Sequence, residues 1–284
     1  MNMVLMAKII ANNKIIDNFY KMQIDAPEIA KVALPGQFLN IKINYIYKPL
    51  LRKPLGIHNV SDNKKSIEIL YKVVGEGTKI LSEKQKGQYV DVLGPLGNGF
   101  EHSILDARCS ILVAGGIGVA PLLFLAKKLV HNPKPLPCRP AGTAQSQIVL
   151  IGTKTKRHIL CEEEFKDFGY EVKVATDDGS KGFKGTVADL LLNKLQTTNY
   201  PSTSSGSRAK SRDKLQTIYA CGPKPMLKRV AEISKKNKIS CFGLLEEYMA
   251  CGTGACFGCA VLTKAGYKRV CKDGPVFDLS VIEW

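Results

Sequence analysis

The spacing of apolar and polar positions changes character along this chain. Over residues 1–103 the apolar positions fall in short runs (VLMAKII, FLNIKI, IEILYKVV, YVDVL) separated by Gly, Pro, Asn and Lys. Runs of that length without a 3.6-residue period predict strands, and several in close succession predict a small antiparallel barrel. Over 104–237 strand-like runs alternate with helical patterns. Ser110-Ile111-Leu112-Val113-Ala114 reads as a buried strand, Gly115-Gly116-Ile117-Gly118-Val119-Ala120-Pro121 as a turn, and Leu122 to Leu129 as a helix. Similar strand-and-turn pairs recur at Ile148 to Gly152, at Glu171 to Thr176 before Asp177-Asp178-Gly179-Ser180, and at Thr217 to Ala220 before Cys221-Gly222-Pro223. Such alternation predicts a parallel, doubly wound α/β sheet with its ligand at the C-terminal ends of the strands. Two stretches interrupt the pattern, His131 to Gln147 and Gln196 to Gln216. Both are rich in Pro, Ser, Thr and Gly, and they read as poorly ordered surface insertions. A third segment, 238–284, is set apart by its cysteines. The expected architecture is therefore multidomain: an antiparallel β-barrel, an α/β doubly wound parallel sheet, and a small C-terminal segment.

Composition narrows the picture without redirecting it. With 284 residues, 45% apolar and 23% charged, the chain is long enough for two or three ordinary globular domains. The formal charge of +16 raises the question of nucleic acid. Lys is spread along the chain, however, and no tight basic block is interleaved with aromatics, so an acidic protein partner or a basic proteome explains the charge and nucleic acid is not expected. The first sixteen residues carry Lys8 and Lys14 among their apolar positions and lack a signal-peptide layout. No stretch is long and uncharged enough to cross a bilayer as a helix. Cys109, Cys138, Cys161, Cys221 and Cys241 stand singly, as reduced thiols do, and a cytoplasmic location is expected with no membrane partner.

The chemistry is concentrated in EEYMACGTGACFGCAVLTKAGYKRVCKDGPVFD, Glu246 to Asp278. Cys251, Cys256 and Cys259 make a C-x4-C-x2-C run, and Cys271 follows. That is the plant-type [2Fe–2S] spacing, in which two irons and two sulfides take four thiolates. Gly252, Gly254, Ala255 and Gly258 let the loop wrap closely and turn amide N–H groups toward the sulfurs. A four-cysteine zinc site ordinarily shows two separate C-x2–4-C knuckles, whereas here the only C-x2-C pair is Cys256 and Cys259, the C-x4-C spacing shares Cys256 with it, and Cys271 stands alone.

Three segments of the N-terminal region read as ligand-binding: Arg52-Lys53-Pro54-Leu55-Gly56-Ile57; Leu70-Tyr71-Lys72 running into Gly75-Glu76-Gly77-Thr78; and Gly94-Pro95-Leu96-Gly97-Asn98-Gly99-Phe100. The second puts backbone amides and a Thr hydroxyl at a helix start, where a phosphate is expected. In the third, glycines permit close approach of a flat ring. The Gly115–Gly118 turn opens a nucleotide-binding βα unit but lacks the third glycine of G-x-G-x-x-G.

Taken together, barrel, nucleotide sheet and cysteine segment resemble the ferredoxin–NADP reductase superfamily. Within it, MACGTGACFGCAV and GYKRVCKDGPVFD are similar to the electron-transfer subunits of NAD-dependent dihydroorotate dehydrogenases. The resemblance covers nearly the whole chain outside the two insertions. It implies an FAD-binding barrel at 1–103, an NAD-binding domain at 104–237 and a [2Fe–2S] domain at 238–284. The flavin motif of that family, R-P-x-S, falls on Lys53-Pro54-Leu55-Gly56, with Lys for Arg and Gly for Ser. The changes remove a bidentate phosphate contact and a hydroxyl. Arg52 is a poor substitute, since strand neighbours point to opposite faces.

The resemblance further implies FAD contacts at Leu70, Tyr71, Lys72, Gly77 and Thr78, and a nucleotide side at Gly115, Gly116, Gly118, Cys221 and Gly222. Cys251, Cys256, Cys259 and Cys271 are the implied metal ligands, and no side chain is expected to act as a catalytic acid or base. His58 reads as a strand residue. The implied partner is an FMN-containing dihydroorotate dehydrogenase catalytic subunit in a heterotetramer of two plus two, with NAD as acceptor. Lys154, Lys156 and Arg157 would equally attract a 2′-phosphate. A ferredoxin:NAD(P) oxidoreductase subunit, a related diaphorase, and a non-redox metal-binding module stand as alternatives.

Overall fold

A computed structural model describes residues 3–44, 48–100, 109–130, 147–197 and 216–284. Apart from their end residues, the two Ser/Pro-rich stretches lie outside this set, as do the side chains of Cys109 and Cys138.

The N-terminal strands are β1 (Met3–Ile16), β2 (Phe19–Asp25), β3 (Phe38–Lys42), β4 (Lys53–Gly56), β5 (Asn59–Val60), β6 (Ser66–Lys72) and β7 (Tyr89–Leu96). They pair antiparallel in one curled sheet, in the order β4-β3-β7-β1-β2-β6-β5. Alternation explains the curl. Ala7, Ile9, Met22, Ile24, Ile41, Ile67, Ile69, Tyr71, Val90 and Val92 share one buried core. Two helices cover its ends, α1 (Pro27–Val32) and α2 (Glu76–Glu83). Near its end β6 is buried on both faces: Tyr71 enters the barrel core while Leu70 packs toward the second domain.

The second sheet runs β11 (Phe183–Lys184), β10 (Glu171–Thr176), β9 (Ile148–Thr153), β8 (Cys109–Gly115), β12 (Gln216–Cys221), β13 (Ser240–Leu244) and β16 (Val276–Asp278). All pairs are parallel except β13 with β16. Both faces are covered, as a parallel sheet requires. Leu112, Ala114, Val149 and Ile151 pack against α3 (Val119–Val130) and α4 (Glu162–Asp167). Ile111, Val113, Leu150 and Ile218 pack against α5 (Val187–Thr197) and α6 (Lys224–Lys236). The strand order turns at β8, which puts the crevice for a ligand between β8 and β12.

The C-terminal segment is less separate than its sequence suggests. β13 lies in the nucleotide sheet although it falls within 238–284, and β16 returns to that sheet as an antiparallel edge. Between them stand the cysteine loop, the hairpin β14 (Ala260–Thr263) with β15 (Gly266–Arg269), and one turn of helix, α7 (Val270–Asp273). Cys259, Val261, Val270 and Cys271 share a core with α6 and β8. Among the described residues no helix is long and apolar enough to cross a membrane.

Candidate cofactor sites

The loop from Cys251 to Cys259 brings the Cys259 thiol to that of Cys271 in α7. Cys259 and Cys271 are buried, Cys251 is half-buried and Cys256 is exposed. The donors group two and two. The Cys251 thiol lies within hydrogen-bonding reach of Cys256, and Cys271 of Cys259. No three His, Cys, Asp or Glu side chains among the described residues converge as a single-ion site needs. Two pairs of thiols are what a two-iron centre takes, one pair to each iron.

Backbone amides serve the sulfurs: Thr253 N–H donates to Cys251 Sγ, Gly258 N–H to Cys256 Sγ and Cys271 N–H to Cys259 Sγ, each at 3.4 Å. Burial opposes ionisation of Cys251, but the amides of Thr253 and Cys256 outweigh it and bring the thiol down to about 5. Burial and the adjacent Cys259 push Cys271 up to about 12. A loop that already stabilises negative charge on sulfur fits a thiolate-held cluster.

Two residues that sequence reasoning missed complete this loop. Arg269 pairs with Asp273 (3.1 Å), donates to the Gly254 carbonyl (3.0 Å) and stacks its guanidinium 4.7 Å from the Phe257 ring. From the barrel side, Asn40 on β3 donates from Nδ2 to the Cys251 carbonyl at 3.4 Å. A polar residue inside the apolar run FLNIKI was the available signal for Asn40.

Lys53, Pro54, Leu55 and Gly56 form β4, the half-buried edge of the curled sheet. The Lys53 side chain lies across the start of α2, where a Cβ added at Gly77 would sit 2.6 Å from Lys53 Cε. Arg52 points to the opposite face and is committed there. It pairs with Asp91 at 2.9 Å and donates to the carbonyls of Asp91 and Asn40. Thr78 does not offer its hydroxyl to a ligand: Oγ1 accepts from the amides of Val74 and Gly75 and donates to the Gly75 carbonyl. It thereby shapes the turn and leaves the first-turn amides of Glu76, Gly77 and Thr78 without intrahelical acceptors. Those amides, the helix dipole and the Lys53 ammonium fit a dinucleotide diphosphate.

Of the neighbouring expected contacts, Leu70 is buried against the second domain. The Tyr71 ring is buried in the barrel core, its hydroxyl donating to Asn12 Oδ1 at 3.0 Å. What Tyr71 presents to a ligand is main chain. Lys72 is exposed, its ammonium 5.4 Å from the Phe19 ring.

The nucleotide turns come together. A Cβ added at Gly118 would lie 2.1 Å from the Cys221 carbonyl oxygen, and one at Gly115 would lie 2.9 Å from Pro223 Cδ. The Gly115–Gly118 turn therefore rests directly on Cys221-Gly222 at the C-terminal ends of β8 and β12, with Ala114 opposite Cys221. Burial pushes the Cys221 thiol up, so it is a neutral, inert group there. Gly56 faces Pro121 at the start of α3, with 3.8 Å from its added Cβ to Pro121 Cβ. His58 is buried two residues further on and donates from Nδ1 to the Ala120 carbonyl at 2.8 Å. The edge of the barrel and the nucleotide turn thus border one cleft. Beyond β9, Lys154, Lys156 and Arg157 are exposed, and the amides of Asp177 and Asp178 donate to the carbonyls of Thr153 and Lys154.

The Gly94–Phe100 segment differs from expectation. Its glycines receive protein, not a flat ligand. A Cβ at Gly97 would meet Pro275 and the Gly274 carbonyl at 2.6 and 2.9 Å, and one at Gly99 the Pro35 carbonyl at 2.5 Å. Asn98 N–H donates to the Gly274 carbonyl at 2.6 Å. The segment is a seam joining the barrel to the C-terminal segment.

Known proteins share this layout. Residues 112–232 match the oxidoreductase NAD-binding domain, and 246–283 match the iron-sulfur cluster binding domain of dihydroorotate dehydrogenase B. The solved NADH-dependent reduced ferredoxin-NADP oxidoreductase superposes with a TM-score of 0.78 at 28% identity, covering 98% of this chain and 90% of that one. An Amycolatopsis cytochrome P450 reductase (TM-score 0.64, 17% identity, 84% and 67% covered) shares the fold. The class is thus an iron–sulfur flavoprotein oxidoreductase of the ferredoxin–NADP reductase fold, with FAD, a [2Fe–2S] cluster and NAD as its cofactors.

Curated relatives narrow the class. The Desulforamulus reducens dihydroorotate dehydrogenase B (NAD(+)) electron transfer subunit is 38% identical over 288 residues, with 100% of both chains covered. Its Geobacillus sp. counterpart is 39% identical, with 95% of this chain and 94% of the relative covered. The chain belongs to the family of dihydroorotate dehydrogenase B electron transfer subunits.

Proposed function

We propose that this chain carries electrons from an FMN-containing subunit that oxidises dihydroorotate to orotate, and passes them to NAD⁺, in a cytoplasmic heterotetramer of two catalytic and two electron-transfer subunits. One observation supports this reading above the others. The cysteine loop is seated on β3 through Asn40 and Cys251, and β3 pairs directly with the flavin strand β4, Asn40 opposite Pro54. The cluster ligands and the flavin cradle would thereby be linked through one strand.

When bound, the [2Fe–2S] centre exchanges single electrons, and FAD joins them to the two-electron chemistry that a nicotinamide requires. The residues of the chain supply binding and placement. Cys251, Cys256, Cys259 and Cys271 would hold the cluster, with the amides of Thr253, Gly258 and Cys271 directed at sulfur. Lys53 and the first turn of α2 would hold the flavin diphosphate. Gly56 and Pro121 bring the flavin strand against the nucleotide turn, where Gly115, Gly118 and Gly222 let the two turns pack on each other and Gly116 is open; Gly115, Gly116, Gly118, Cys221 and Gly222 would line the nucleotide seat. Burial depresses the His58 pKa, so it stays neutral and fastens the barrel to α3 without moving a proton.

Reconstitution is the test. The chain co-expressed with the FMN-containing dehydrogenase should co-purify with it and reduce NAD⁺ when given dihydroorotate. A complex that carries iron and flavin yet reduces no NAD⁺ would overturn the reading. A second reading, reduction of NAD(P) from ferredoxin, is supported by the near full-length likeness to the ferredoxin-NADP oxidoreductase. The same preparation supplied with reduced ferredoxin in place of dihydroorotate separates the two.

A further inference from the structure

Asn40 is fully buried, and its side chain is only half used. Nδ2 donates to the Cys251 carbonyl, but Oδ1 has no hydrogen-bond partner among the described residues. Buried amide oxygens in folded proteins are almost always satisfied, so an orphan of this kind, set against a ligand loop, asks for an explanation. The surroundings exclude a purely barrel-internal role. On one side the main-chain carbonyl of Asn40 accepts from Arg52 at 3.3 Å, and its strand neighbours are Pro54 on β4 and Leu93 on β7. On the other side lies Gly252, where an added Cβ would sit 2.6 Å from Asn40 Nδ2, with φ +71° at that residue. The side chain is thus clamped between the flavin strand's neighbour and the peptide that follows the first cluster ligand.

That placement has a consequence in the peptide geometry. The Cys251–Gly252 unit is planar and trans, so its N–H points opposite to its C=O. Holding the Cys251 carbonyl toward the barrel turns the Gly252 N–H away from the barrel. The next amide, Thr253 N–H, already donates to Cys251 Sγ. Amides aimed at sulfur lower the charge felt on a cluster and set its potential.

We propose that Asn40 is a positioning residue for the iron–sulfur centre: from the barrel, it fixes the orientation of the Cys251–Gly252 peptide and so tunes the electronic state of the cluster while holding it at a set place relative to the flavin strand. The proposal rests on the electron-transfer reading above. Asn40 touches neither substrate nor reacting atoms and acts only through the ligand loop.

The experiment compares Asn40→Asp, which keeps the shape and loses the donor, with Asn40→Ala and with Gly252→Ala, which presses on Nδ2 from the loop side. All are prepared anaerobically as the full-length chain in complex with its catalytic partner. Iron, sulfide and FAD are counted, the reduced cluster is examined by electron paramagnetic resonance, and its midpoint potential is titrated. The expected result is a changed g-tensor and a shifted midpoint potential in all three, with FAD content unchanged. Wild-type spectrum and potential in the loaded Asn40→Asp protein would overturn the proposal. So would a loss of FAD or thermal stability with the spectrum unmoved, which marks a merely structural residue. Wild-type protein without iron or sulfide would instead sink the underlying functional reading, so the two failures are distinguishable.

Discussion

The cluster loop and the proposed flavin cradle both adjoin β3, yet in this reading they would hold their cofactors by different means. The loop at 251–271 would spend four side chains as direct donors, with backbone amides directed at three of the sulfurs. The proposed cradle on β4 and α2 would spend mostly main chain, with the Lys53 ammonium beside it and a Thr hydroxyl that shapes the turn. A site built from side-chain donors tolerates no substitution among them. A site built from amides keeps its main-chain contacts when a side chain changes, so Lys at the Arg position of the related motif would leave a single charged contact in place of a fork.

The largest effect that would break this contrast comes from the loop. Cys259→Ala should abolish the [2Fe–2S] signal and lower dihydroorotate-to-NAD⁺ turnover by at least about 100-fold, while FAD content stays near wild type. Retention of the cluster signal would contradict the ligand assignment. On the cradle side, Lys53→Met removes one charge-assisted phosphate contact worth about 1.5–3 kcal/mol, so FAD binding should weaken by about 10- to 100-fold with iron content untouched. Lys53→Arg should bind FAD as well as wild type or better, since the fork restores bidentate contact. Equilibrium dialysis of the flavin checks both, and unaltered affinity in Lys53→Met would remove Lys53 from the site.

What was legible in the sequence follows the same division. The cysteine spacing could be read directly because iron demands particular donors at particular intervals. Strand periodicity revealed the barrel and the doubly wound sheet because burial demands it. The glycines of Gly94 to Phe100 were open to misreading. A glycine records that something approaches closely, and here the visitor is Gly274-Pro275 of the same chain. Likewise Tyr71 lies in a ligand-binding stretch, yet the pleat sends its ring into the barrel core. The placement of β13 and β16 in one sheet on either side of the cluster loop depends on long-range pairing, which a local pattern does not encode. Asn40 was visible as a polar residue in the apolar run FLNIKI, but its role was not, because a single polar residue in a strand gains its meaning from what packs on it.

Smaller effects sharpen the contrast at the third site. Gly118→Ala drives a methyl group against the Cys221 carbonyl, at a cost of about 1–3 kcal/mol of local distortion. The KM for NAD⁺ should rise by about 10-fold, with FAD and iron unchanged. An unchanged KM would show that the two turns do not form the nucleotide seat together.

The smallest effect concerns His58. Burial holds its folded pKa below the 6.5 of the free side chain, so below that pH the unfolded chain binds a proton that the folded chain refuses. Stability is therefore complete above pH 6.5 and falls as the pH drops below it, by at most about 1.4 kcal/mol per pH unit. His58→Asn should flatten the difference in melting temperature between about pH 7.5 and about pH 5.5. An equal slope in both proteins would place the titration elsewhere.

The central claim is that the two unlike sites are joined electrically as they are joined through β3. The most direct measurement is an anaerobic reductive titration of the complex with NADH, followed by flavin absorbance and by the paramagnetic signal of the cluster. The account predicts that NADH reduces the flavin and that a reduced [2Fe–2S] signal then grows in, in a protein carrying about two irons and two sulfides per chain. A fully reduced flavin beside a cluster that stays oxidised and silent, although its potential lies within reach of NADH, would contradict it.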